Sequence, residues 1–296
     1  MTLQLRPLHP LFAAEASGID LTRPVDAATV RAVDEAMDKY AVLVFRGQPL
    51  TEDQQVAFAS SFGTLDSGLK KLHPGAPSRF KFEETIDISN VRPDGGLHGA
   101  SDRKTISNFA NQLWHSDSSF ERPAAKYSML HAVVVPARGG QTEYADLRSA
   151  YDALPADLKS EIEGLHSVHA ALHSRIWLGD KPTAAELAKM PPVRWPLVRT
   201  HSGSKRKVLW VGVHATHIVE KAVAEGRMLL LELLEHATQR EFVYRHEWKV
   251  GDLVIWDNRA TIHRGRRFDI NKPRELRRTT TRDPDSVLDS VLQEAA

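Results

Sequence analysis

The sequence has no cysteine in its 296 residues, which excludes disulfide frameworks, thiolate zinc ribbons, iron–sulfur clusters and thiol nucleophiles together. Any metal must be held by histidine and carboxylate. An excess of either charge is missing too: 39 Lys and Arg against 38 Asp and Glu leave +1, so no broad field attracts a nucleic-acid backbone or an anionic lipid surface. No nucleic-acid partner is expected. Nowhere do 18 apolar residues run together, and Met1 to Gly18 lacks a basic stretch ahead of an apolar run of signal-peptide length. The chain is therefore expected to be cytoplasmic, with no membrane partner. With 42% hydrophobic and 26% charged residues, it has the make-up of an ordinary globular protein. Its length suits one domain over residues 1–296.

Val30, Val33 and Met37 at helical spacing predict a helix over 26–39, and Ala41-Val42-Leu43-Val44-Phe45, closed by Gly47, predicts a buried strand after it. Thr51 and Gln54 form a capping-box pattern ahead of a helix over 52–62. Residues 63–108 show no sustained periodicity, and a loop this long in a compact domain reads as an active-site lid. Strand patterns then dominate, over 127–135, 141–144, 195–201, 208–213, 241–248, 253–256 and 275–281, interrupted by helical patterns at 146–165, 183–190 and 223–238. The fold class expected is mainly β with helices (α+β): a double-stranded β-helix, or jelly-roll barrel of cupin type, with helical insertions and helices over one outer face.

Trp114-His115-Ser116-Asp117 sets His and Asp two apart, so an extended segment turns both side chains to one face. A chain with 14 His meets such a pair about once by chance, so the pattern needs company. His263 supplies it, since it follows the strand Leu253-Val254-Ile255-Trp256 and its turn, and a jelly roll brings distant strands side by side. Two His and one carboxylate leave iron(II) open positions for a chelating co-substrate and dioxygen. The same ligands also suit a catalytic zinc holding a water. Downstream, Arg274, Leu276 and Arg278 share one strand face. Two arginines turned into a barrel need anionic partners, and a guanidinium clamps a carboxylate through two parallel hydrogen bonds. A solvated edge strand would carry the same arginines at no cost.

His115-x-Asp117, Thr142, His263, Arg274 and Arg278 resemble the pattern of the taurine/2-oxoglutarate dioxygenase family. Pro7-Leu8-His9-Pro10-Leu11-Phe12, 42–48, 108–115 and 253–259 are similar to its phenoxyacetate branch, and the likeness runs to about Thr281. The resemblance implies Fe(II) on His115, Asp117 and His263, with 2-oxoglutarate and O2 as co-substrates and Thr142 and Arg274 on the distal carboxylate of 2-oxoglutarate. It implies Arg278 on the carboxylate of the primary substrate, Asn111 beside that substrate, and Lys71 as a second cation, with His73 an alternative in the same segment. The implied reaction hydroxylates the ether-linked CH2 of an aryloxyacetate of the 2,4-dichlorophenoxyacetate type, giving a phenol and glyoxylate with succinate and CO2. Another small organic acid or a sulfonate remains open as substrate, as does a barrel-fold binding protein without turnover. The resemblance also implies a homo-oligomer. His201, His214 and His217 are pocket candidates, or structural histidines satisfied by their surroundings. Asp257 either orients a metal-bound histidine or caps its own turn.

Overall fold

The structure is a computed structural model that describes residues 2–72, 75, 78–100 and 102–286. The first helix, Ala27–Tyr40, starts where Asp26 accepts from the Thr29 N–H at 2.8 Å, and it stops at Ala41, whose left-handed φ of 56° cannot continue it. The second, Glu52–Ser60, opens with the complete Thr51/Gln54 capping box.

Around these helices the strands gather into sheets. Seven strands form the largest sheet, in the order Gln4–Pro7, Ala14–Ser17, Val42–Phe45, Leu253–Asp257, Ala125–Val134, Glu275–Arg282 and Ile86–Ser89. Alternation decides its two faces. Leu43, Phe45, Met129 and Ile255 face out and pack under Val33, Met37, Phe58 and Phe62 of the two helices. Val42, Val44, Leu130 and Trp256 face in and meet Tyr144 of a second sheet, Val243–His246, Thr142–Asp146 and Thr261–Gly265. Each fully buried side chain of this size contributes roughly 1.5–3 kcal/mol, so the stack fixes the two sheets firmly face to face. Two smaller sheets complete a mixed α+β architecture rich in strands: Ala215–Ile218 with His166–His169 and Val193–Pro196, and Lys207–Leu209 with Val198–Thr200.

Several expectations change. Residues 63–108 hold a 3-10 turn at Gly68–Leu72, the edge strand Ile86–Ser89 and the helix Arg103–Ala110. Pairing of Ile86–Ser89 with the 275–278 stretch is a tertiary event that no local pattern announces. The helix expected over 146–165 is two, Leu147–Ala153 and Ala156–Ile162, broken at Leu154 and Pro155, where proline cannot donate and its predecessor leaves the helical region. The strand expected over 195–201 is split the same way after Pro196. In the helix Val223–Ala237, Leu229 and Leu230 are buried while Met228 and Leu231 are exposed. Among the described residues no helix is long and apolar enough to cross a membrane.

Candidate functional site

His115 and His263 are joined by a β-bridge, each N–H donating to the other's carbonyl at 3.0 and 2.8 Å. This bridge carries two residues 148 positions apart into ring contact, with centroids 4.2 Å apart. The chain turns just after His115, which brings Asp117 to the same side: its carboxylate lies 4.0 Å from His115 Nε2 and 3.9 Å from His263 Nε2. All three side chains are buried, and their ligand atoms lie within 4.8 Å of one another. Donors about 2.1 Å from one ion stand no more than about twice that apart, so the set fits a single cation after small rotations.

Protonation suits the same role. The His115 Nδ1–H donates to the Leu113 carbonyl at 2.7 Å, which leaves Nε2 as the free electron pair. Burial lowers the pKa of both His115 and His263, keeping them neutral. Burial pushes Asp117 up, but the Arg278 guanidinium that pairs with it, the neighbouring His263 and His115 and the Ser128 hydroxyl at 2.7 Å prevail and hold it below the usual carboxylate range. The result is two neutral imidazoles and one carboxylate aimed at one point.

The surroundings of Asp117 come from the turn after Trp256, through Asn258, a residue given no role in the sequence analysis. Asn258 accepts from the Asp117 N–H and the Trp256 indole, both at 3.0 Å, and donates to Ser128 Oγ at 3.0 Å. Ser128 in turn donates to Asp117. Asn258 thus positions the carboxylate from two sides. Asp257, by contrast, caps its own turn: it accepts from the Arg259 N–H at 2.8 Å and the His201 Nε2–H at 3.0 Å and does not reach His263.

A cavity opens beside the triad, lined among others by Asn111, His115, Thr142, Trp256, His263, Arg274 and Arg278. Alternation along the chain leaves Arg274 and Arg278 on one face, both lining this cavity, while Arg277 turns away to Gln55 at 2.8 Å. Arg274 is 8% exposed, and among the described residues no carboxylate pairs with it. Its Nη2 donates to the Gly140 carbonyl at 3.2 Å, its Nε is buried with no partner, and burial pulls it down to about 10. Thr142 Oγ1 accepts from the Trp248 indole at 3.0 Å in the same cavity. The cavity therefore holds an uncompensated cation beside the triad.

A larger cleft of about 810 Å³ leads outward past Asn111 and Arg278 to Lys71, Phe80, Phe82 and Lys104. Lys71 pairs there with Glu121, and His73 lies outside the described residues. A third, small cavity touches His115, Asp117, Phe120, Arg175, His214 and Arg278. His214 is buried with its ring edge-on to His115 and Nδ1 unpartnered, so of the three histidines singled out in 201–217 it is the one at the site. His201 is not brought there: its two ring nitrogens are taken up by Asp257 and by Ser204 at 2.9 Å, as a structural histidine. His217 contacts Thr216 Oγ1 at 2.9 Å and lines none of these cavities. Asn258, Ser128 and Arg175 carried no signal beyond ordinary turn and surface composition.

The profile of the family described as "Taurine catabolism dioxygenase TauD, TfdA family" matches residues 4–280. The chain is 60% identical to the alpha-ketoglutarate-dependent 2,4-dichlorophenoxyacetate dioxygenase of Cupriavidus pinatubonensis over 284 residues, 96% of this chain and 99% of that one. It is 37% identical to the (S)-phenoxypropionate/alpha-ketoglutarate-dioxygenase of Sphingobium herbicidovorans over 279 residues, 91% of each. Among solved structures it is similar to AAD-2 in complex with Mn(II) and N-oxalylglycine, with a TM-score of 0.88 and 46% identity over 95% of this chain and 97% of that one. A match across nearly the whole chain, together with the His-Asp-His cluster, makes the protein a member of the TauD, TfdA dioxygenase family.

Proposed function

We propose that this chain is an Fe(II)- and 2-oxoglutarate-dependent dioxygenase that hydroxylates the ether-linked CH2 of an aryloxyacetate of the 2,4-dichlorophenoxyacetate type. One observation carries the reading: Arg274, a buried arginine with no carboxylate partner among the described residues, shares a cavity with His115 and His263 of a buried His-Asp-His cluster. A hydrolytic zinc site needs a water in its open position but no such cation, whereas a dicarboxylate that chelates the metal at one end presents its other carboxylate for a guanidinium. The 60% identity to a dioxygenase of 2,4-dichlorophenoxyacetate supports the substrate class. N-Oxalylglycine, found in the similar structure, is 2-oxoglutarate with one methylene replaced by NH.

In this reading the two facing sheets are the walls of a jelly-roll barrel in one domain, and residues 63–108 form the lid over its mouth. His115, Asp117 and His263 hold the metal, Thr142 and Arg274 hold the distal carboxylate of 2-oxoglutarate, and Arg278 faces the carboxylate of the primary substrate, with Asn111 and Lys71 along its path. With 2-oxoglutarate and O2, Fe(II) supplies the two-electron oxidation that turns a C–H bond into C–OH, leaving succinate and CO2. The chain's residues decide which carbon is exposed to it. Anchoring the carboxylate places the adjacent CH2 at the triad, and the hydroxylated product, a hemiacetal, separates into phenol and glyoxylate.

A succinate-release assay with Fe(II), 2-oxoglutarate and a panel of 2,4-dichlorophenoxyacetate, 2-phenoxypropionate, cinnamate and taurine tests this. Succinate and phenol in equal amounts are expected from the first, and none after His115→Ala. A clear preference for taurine, or activity with zinc alone, would refute the reading.

A further inference from the structure

An aryloxyacetate brings a second carboxylate to a site where Arg274 is already assigned to the keto acid. Arg278 faces it but is already paired with Asp117, so a further cation that reaches the triad and is not neutralised by the protein is needed to complete the anchor. Most cations around the 810 Å³ cleft are neutralised. Arg103 faces Glu186 at 2.9 Å, Lys71 pairs with Glu121, Lys81 with Asp53 and Arg278 with Asp117, and Lys104 lies 4.0 Å from Asp87. Lys70 is held by the Thr85 carbonyl at 2.7 Å.

Arg175 differs from the paired residues in its lack of a carboxylate, and from Lys70 in reaching the small cavity at the triad. It is half-buried on the short helix His173–Trp177, and among the described residues no carboxylate lies within ion-pair distance of it; its Nε reaches only Ser107 Oγ, at 3.4 Å. Asp180 acts on it from further away and is itself 3.6 Å from Arg103. Arg175 lines both the cleft and the small cavity that touches His115, Asp117 and Arg278. That cavity excludes Arg274 and Thr142, so the triad stands between two lobes, each with a guanidinium that lacks a carboxylate. Two like charges, Arg175 and Arg278, facing one lobe with Asp117 as the single carboxylate lining it are costly until an anion enters.

We propose that Arg175 is a substrate-anchoring residue that receives the carboxylate of the oxidised acid in the lobe it shares with Arg278. The inference rests on the aryloxyacetate reading above. Arg278 remains engaged with Asp117 while Arg175 supplies the free guanidinium, and the carboxylate that bridges them brings its neighbouring CH2 against the triad. The preference for an acid over an otherwise identical neutral ether arises from this residue.

The test compares the wild type, Arg175→Gln and Arg175→Lys on 2,4-dichlorophenoxyacetate and on its uncharged amide. Arg175→Gln is expected to raise KM for the acid at least tenfold, leave KM for 2-oxoglutarate within twofold, and shrink the acid-to-amide preference by a similar factor. Arg175→Lys keeps the charge without the two-pronged geometry, and its acid KM should rise at least threefold yet stay below that of the glutamine variant. Calorimetric titration of the metal-free protein with the acid should show the same loss in Kd, where tenfold corresponds to about 1.4 kcal/mol. An acid KM within twofold of wild type in Arg175→Gln, or equal rises in both KM values, overturns the anchor while leaving the dioxygenase reading intact. If the glutamine variant does not fold, an unchanged acid KM in Arg175→Lys overturns it instead. A wild type that turns over taurine and no aryloxyacetate removes the reading itself, and the anchor with it.

Discussion

At the scale of single residues, the site depends on side chains that touch no ligand. Gly140 has a φ of +72°, and a Cβ there would stand 3.1 Å from Arg274 Nε and 3.3 Å from its Cδ. Alanine would strain the turn by roughly 1–2 kcal/mol and push the guanidinium off its place. Gly140→Ala should therefore raise KM for 2-oxoglutarate about tenfold with the aryloxyacetate KM little changed, and a variant with both constants at wild-type values would contradict the placement of Arg274. Asn258 offers a second case. Its loss leaves the Asp117 N–H buried without an acceptor and frees Ser128, and removing such a partner typically weakens metal binding by about 10–100-fold. Asn258→Ala should show that loss in a Mn(II) titration followed by electron paramagnetic resonance. Metal affinity equal to wild type would mean the turn supports the fold alone.

At the scale of elements, strand Ala125–Val134 ties the sheet to the turn before the second helix through one buried histidine. His131 Nε2–H donates to the Gln48 carbonyl at 2.7 Å, Nδ1 has no partner, and burial brings its pKa down to about 4. In the unfolded chain an ordinary histidine titrates near 6.5. Between those values the unfolded state binds a proton that the folded state refuses, so stability falls as the pH drops from 6.5 towards 4 and is fully present above 6.5. The limiting slope is about 1.4 kcal/mol per pH unit for one such site, and His169, held down at about 3 by burial, adds to it. Urea unfolding of metal-free protein should be flatter between pH 6.5 and 5 for His131→Gln than for wild type by about 1 kcal/mol per unit; superimposable slopes would place the acid sensitivity elsewhere. The elements themselves were read unevenly. Helices with caps, such as Thr51/Gln54, and strands with continuous apolar runs, such as Leu253–Asp257, were legible because their signals are local. Ile86–Ser89 and Thr261–Gly265 were not, since polar residues interrupt them and only the partner strands define them. The triad was legible as residue types, but the β-bridge that unites it is long-range, and Arg175 looks like any surface arginine until the helix that bears it docks.

At the scale of the whole molecule, a nearly neutral chain concentrates unbalanced positive charge around one point. The net charge is +1, yet Arg175, Arg274 and Arg278 line two adjoining cavities whose lining includes one carboxylate, Asp117. Such a cluster is a liability in the empty protein and a source of stability in the liganded one, because a ligand that binds only the folded state adds RT ln(1 + [L]/Kd), about 2.7 kcal/mol at 100 Kd. Mn(II), which holds the same ligands without turnover, and 2-oxoglutarate should therefore raise the melting temperature together by more than the sum of their separate effects. In the proposed function the metal would supply the chelation that the keto acid needs, and Arg274 would hold the far end. For a domain of this size about 2.7 kcal/mol amounts to a shift of roughly 5–10 °C. Arg274→Gln should keep the increment from Mn(II) alone and lose most of the extra one from 2-oxoglutarate, as read by scanning fluorimetry. If the variant kept the full synergy, the buried guanidinium would not be the keto acid's anchor, and the assignment of the two lobes around the triad would have to be exchanged.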